Sequence, residues 1–125
     1  MPKEPVTGDG WAVSSLADLG EGPGFRKIRT PLGVTAFGVN AIVLPPGMAN
    51  NLHYHERQQE LYLVLEGEIE IEFGDGSAHV LGPGGIARVD AATARRVRNP
   101  SVSEDATYFC VGGDGGYVGR DGKLA

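Results

Sequence analysis

Apolar and charged residues alternate strictly in Glu68-Ile69-Glu70-Ile71-Glu72-Phe73, placing Ile69, Ile71 and Phe73 on one face and three glutamates on the other. Successive side chains of a strand point to opposite faces, so the segment predicts a half-buried strand with a solvated glutamate row. Gly74-Asp75-Gly76 then predicts a hairpin turn into Ser77–Leu81. Upstream, Leu61–Leu65 is a continuous apolar run of strand length, the pattern of a strand covered on both faces. Thr35–Leu44 predicts another strand, ended by Pro45-Pro46-Gly47. Ile86–Val89, Arg95–Arg98 and Thr107–Val111 predict three more. No segment carries a sustained helical period; Trp11–Leu19 has room for one turn before Gly20.

Composition sharpens the fold class. The 20 Gly and 8 Pro are scattered along the chain rather than gathered in one linker, as many short strands with tight turns require. The pattern predicts an all-β protein, a sandwich or barrel. A chain of 125 residues predicts one domain over 1–125, with a core at about 35–112 and polar, glycine-rich arms at both ends. The arms are expected to be mobile or tied down on a partner subunit. A net charge of −5 argues against a nucleic-acid partner, and Arg95-Arg96-Val97-Arg98 is too short a basic run to reverse that. No apolar stretch approaches the roughly 18 to 20 residues of a membrane helix. The N-terminus shows no hydrophobic leader, and the single cysteine, Cys110, has no internal disulfide partner. Together these predict a cytoplasmic protein with no membrane partner.

The candidate chemistry lies between Gly47 and Gly67. His53 and His55 are two apart, so on an extended strand both imidazoles face one side. Glu60 follows five residues later, where Glu56–Gln59 can reverse the chain and bring it alongside. Two imidazoles and a carboxylate meeting at one point suit iron(II), with manganese, nickel or zinc also compatible. The plainer alternative is a pair of partly exposed loop histidines.

The segment Gly47-x5-His53-x-His55-x4-Glu60-x6-Gly67 resembles the first cupin motif at every fixed position. The resemblance covers about residues 35 to 112 and implies an antiparallel jelly-roll barrel. It also implies that His53, His55 and Glu60 point into the barrel mouth as metal ligands, and that the protein is a homodimer. The second cupin motif departs from the pattern: with Gly84 and Asn99 aligned, Asp90 replaces a proline, Ala92 a glycine, and Arg95 the histidine that normally supplies a fourth ligand.

Arg95 decides between readings. A full positive charge about 5 Å from a divalent cation costs about 6 to 7 kcal/mol at an effective dielectric of 20. Either Arg95 swings aside from a bound metal, or it takes the metal's place and pairs with Glu60. A third role is to hold the carboxylate or phosphate of a substrate. Tyr62 shares strand parity with Glu60, and Asn99 with Arg95, making both candidate substrate contacts. The leading expectation is a small-molecule-binding protein with an anionic ligand near Arg95, His53 and His55. The alternative is a metal-dependent enzyme, a non-haem dioxygenase or an isomerase or lyase, with no general base identified. Cys110 reads as a buried, inert thiol.

Overall fold

The computed structural model describes residues 3–125; Met1 and Pro2 lie outside the described residues. Twelve strands and two short helical turns follow in order: β1 (Val6–Gly8), β2 (Trp11–Val13), α1 (Leu16–Leu19), β3 (Gly24–Lys27), α2 (Arg29–Leu32), β4 (Gly38–Leu44), β5 (His53–His55), β6 (Gln59–Glu66), β7 (Ile69–Phe73), β8 (Ala78–Leu81), β9 (Ile86–Val89), β10 (Arg95–Arg98), β11 (Ala106–Gly113) and β12 (Gly122–Leu124). β1 and β2 form a small hairpin. The rest build two five-stranded sheets in the orders β12-β5-β10-β7-β8 and β3-β4-β11-β6-β9. Every pairing within them is antiparallel, and the two sheets make a jelly roll.

Inward-facing residues of both sheets form one core: Ile42, Tyr62, Val64, Ile69, Ile71, Val89, Val97, Ala106 and Tyr108. β7 follows the predicted alternation, with Ile69 and Ile71 buried. Its glutamates are not simply solvated. Glu72 meets Arg96 at 2.6 Å and Glu70 meets Arg98 at 3.0 Å across the β7–β10 ladder.

β6 corrects the expectation of a strand covered on both faces. Its burial alternates, with Tyr62 and Val64 inside while Leu61, Leu63 and Leu65 are 45%, 37% and 45% exposed. A run of uniformly apolar residues carries no period, so its two faces could not be told apart.

At the ends, the short helical turn is as expected and the carboxyl-terminal arm is not. Ser15 caps α1 by accepting from the Asp18 amide, giving the one helical turn for which Trp11–Leu19 had room. The carboxyl-terminal arm is part of the fold: β12 pairs with β5, Gly122 opposite His55 and Leu124 opposite His53. Among the described residues no helix is long and apolar enough to cross a membrane.

Candidate functional site

β5 is only three residues long, and its alternation sets His53 and His55 on the same face with ring centroids 5.4 Å apart. Glu60 lies on β6, in the opposite sheet. The connection through Glu56–Gln58 crosses between sheets and turns the carboxylate back towards the imidazoles. One ligand atom from each of His53, His55 and Glu60 lies within 4.8 Å of the others. His55 Nε2 is 3.3 Å from Glu60 Oε1.

Four protein donors fix the Glu60 carboxylate. Arg95 Nη2 donates to Oε1 at 2.7 Å and the Tyr62 hydroxyl to the same oxygen at 2.8 Å. Gln58 Nε2 donates to Oε2 at 2.9 Å, and the Cys110 thiol at 3.0 Å. Burial works against the charge, but the donors Cys110, Arg95 and Tyr62, with His55 close by, hold this carboxyl below its ordinary range. Burial pushes the Cys110 thiol well up, reinforced by the Glu60 charge, so it stays protonated and remains a donor. Burial, the largest influence, also raises Tyr62, with the Cys110 and Glu60 neighbours adding to it.

Arg95 is wholly buried, and all three nitrogens of its guanidinium face protein acceptors. Beyond Glu60, Nη1 donates to the carbonyls of Thr93 at 2.7 Å, Ala91 at 3.2 Å and Asp90 at 3.4 Å, and Nε faces the Tyr62 hydroxyl at 3.4 Å. This corrects the expected contact between Arg95 and an anionic ligand: Arg95 is not among the cavity-lining residues and has no exposed surface to offer one. It pairs with Glu60, yet the histidines still converge on that carboxylate. Pairing and metal ligation were alternatives in the sequence; here the guanidinium supports Glu60 without displacing the triad.

The histidines fit a divalent cation. His53 Nδ1 lies 2.9 Å from the Asn51 carbonyl, which can only accept, so Nδ1 carries a proton and Nε2 is the ring atom turned to the site as a candidate ligand. Burial lowers the His55 pKa, the Arg95 and His53 neighbours add to that, and Glu60 and Asp121 oppose it, so the ring is held neutral. Neutral imidazole is the ligating form. Ligand bonds of about 2.1 Å place adjacent donors roughly 3 Å apart, close to the separation of His55 and Glu60. Glu60 already accepts four donors, so a cation held there would have to replace one of them.

The triad lines one wall of a cavity of about 690 Å³. Ile42, Leu44, Met48 and Tyr108 supply apolar lining, and Asn40, Asn50 and Gln58 supply polar groups. Tyr62 also lines it. Asn99 does not. It is wholly buried in the turn after β10, where Nδ2 donates to the Leu44 and Glu104 carbonyls and Oδ1 accepts from the Ser101 amide. The expected substrate contact is therefore corrected to a backbone brace: strand parity does not persist beyond Arg98, where β10 ends.

Sequence reasoning missed the carboxyl-terminal return, where Tyr117, Val118, Arg120 and Asp121 line the cavity. It also missed Gln58 and Cys110 as donors to Glu60. Cys110 sits opposite Tyr62 in the β11–β6 ladder, a register only the structure supplies.

Comparison with known proteins agrees with this geometry. The family model described as "Cupin domain" matches residues 41–112. No curated protein is similar enough in sequence to count as a relative. Among solved structures, a sugar phosphate isomerase of the cupin superfamily from Silicibacter pomeroyi is 31% identical with a TM-score of 0.63. That match covers 69% of this chain and 55% of the isomerase, so the chain spans about half of that protein's length. The TT1209 protein of Thermus thermophilus is 28% identical over 85% of this chain and 98% of its own, with a TM-score of 0.68. The DMSP lyase DddQ of Ruegeria pomeroyi shares the fold at 20% identity, over 72% of this chain and 43% of its own, with a TM-score of 0.61. The motif carrying His53, His55 and Glu60, the jelly roll that brings them together, and a family match over more than half of its length make this chain a member of the cupin family.

Proposed function

We propose that the cavity is the active site of a metal-dependent enzyme acting on a small molecule, with His53, His55 and Glu60 holding one divalent cation. The observation that carries this reading is the convergence of the three ligand atoms within 4.8 Å on a cavity wall. A cation there would supply Lewis acidity, polarising a carbonyl or hydroxyl oxygen of the substrate. The chain's own residues do the rest. Arg95 and Tyr62 keep Glu60 anionic and fixed, and a mostly apolar lining surrounds the reacting groups.

The likeness to a sugar phosphate isomerase supports isomerase or lyase chemistry over oxygen chemistry. An anionic substrate remains part of the proposal, with Arg120 in place of Arg95 as the cation lining the cavity. The test is deuterium incorporation from solvent into aldose and ketose phosphates, followed by proton NMR. The reading expects exchange that stops when a chelator strips the metal and returns with metal. Exchange indifferent to chelation would contradict it, and no exchange with any phosphorylated sugar would remove the substrate class.

The saturation of Glu60 by four donors favours a second reading, a metal-free binding pocket in which His53 and His55 contact the ligand directly. Metal content separates the two. We also propose a homodimer, resting on the exposed apolar outer face of Leu61, Leu63, Leu65 and Ile86. Sedimentation equilibrium returning a monomer mass would exclude it.

A further inference from the structure

The carboxyl-terminal return lies beyond both motifs, yet it touches the site at several points. Asp121 is buried, and its Oδ2 accepts from two backbone amides, Arg57 at 2.9 Å and Gln58 at 2.7 Å. Those amides belong to the connection that carries the chain from His55 to Glu60, and the Gln58 side chain itself donates to Glu60. The Glu56 amide donates to the Asp121 carbonyl at 3.3 Å, and β12 then pairs along β5 beside both histidines.

The same carboxylate oxygen lies 3.6 Å from His55 Nδ1. That nitrogen is buried and has no hydrogen-bond partner. An imidazole that ligates through Nε2 carries its proton on Nδ1, and a carboxylate behind that N–H fixes the tautomer and ring orientation. The separation exceeds hydrogen-bond reach by a few tenths of an ångström, so Asp121 is the carboxylate neighbouring this N–H without yet bonding it. Charge points the same way. Glu60, Arg95, His53 and Asp121 are the groups that act on His55. Arg95 offsets the Glu60 charge, and Asp121 adds a second negative group beside His55, with the Arg57 charge acting on it from the connection.

We propose that Asp121 is a positioning residue for the metal centre: it fixes His55 and the Glu56–Gln58 connection, so that cation binding and docking of the carboxyl-terminal return are coupled. The proposal rests on the metal reading given above. By linkage, whatever tightens one must tighten the other.

The test measures Zn(II) affinity of the full chain by competition with a fluorescent chelator. Asp121→Asn keeps an oxygen for the two amides but removes the charge behind His55; Asp121→Ala removes both. Asp121→Asn is expected to weaken Zn(II) binding about tenfold and Asp121→Ala about a hundredfold. A second readout is amide hydrogen exchange over residues 117–124. It is expected to slow on Zn(II) addition in the wild type and to be insensitive to Zn(II) in Asp121→Asn. If Asp121→Ala fails to fold, Asp121→Asn alone decides. Asp121→Asn binding Zn(II) within twofold of wild type, with the same exchange response, would overturn this proposal and leave the metal reading standing. A wild-type chain that binds no Zn(II) would overturn both.

Discussion

Arg95 keeps a full charge with no solvent contact because Glu60 and three backbone carbonyls surround its guanidinium. A buried pair adds little net stability, whereas removing one partner strands the other's charge. Arg95→Met is therefore expected to lower the unfolding free energy by about 3–5 kcal/mol, and Arg95→Met/Glu60→Gln by clearly less. Urea denaturation of the two variants measures this, and equal losses would contradict the pairing. Acid should act at the same place. His55 and Glu60 both have folded pKa values below their ordinary ones, so the unfolded chain binds protons that the folded one does not. Their contribution is present above the ordinary values and is lost as pH falls through the folded ones. The metal-free protein should lose stability below about pH 6.5, through His55, and again below about pH 4.3, through Glu60. A urea midpoint that rises on acidification would contradict these assignments.

At the scale of elements, the site depends on the crossing from β5 to β6 and on the turn that ends β6. Gly67 closes that turn at φ 70°, and a Cβ there would collide with the Asp105 carbonyl and crowd Ala106. Gly76, at φ 91° in the next turn, has open space around it. Gly67→Ala should cost about 2–3 kcal/mol, from strain plus overpacking, and Gly76→Ala about 1 kcal/mol. Thermal unfolding compares them, and equal shifts would mean that the contact with Asp105 is unimportant. These elements also show what was legible in the chain. The alternation of β7 and the spacing of His53, His55 and Glu60 are local, and local patterns placed both the strand and the triad. The two faces of β6 and the partner of Cys110 depend on register between distant strands. Arg95 looked like a ligand contact because its sequence position is that of a metal ligand. The carbonyls that engage it belong to the Asp90–Thr93 turn, whose conformation no spacing rule gives. Asp121 lay in a glycine-rich tail with no pattern at all.

At the scale of the molecule, the two sheets of the jelly roll each contribute to one centre: histidines from one, the glutamate from the other, with the carboxyl-terminal return paired along the histidine strand. The central claim is that this centre binds a divalent cation. Elemental analysis of untagged protein purified without chelator tests it most directly, alongside His53→Ala. That variant removes a ligand but leaves the Glu60–Arg95 pair intact, so it should fold. The account predicts about one equivalent of iron, manganese, nickel or zinc in the wild type, and a large loss in His53→Ala. A wild-type protein that holds no metal after exposure to these ions, or a His53→Ala variant that holds as much, would contradict it.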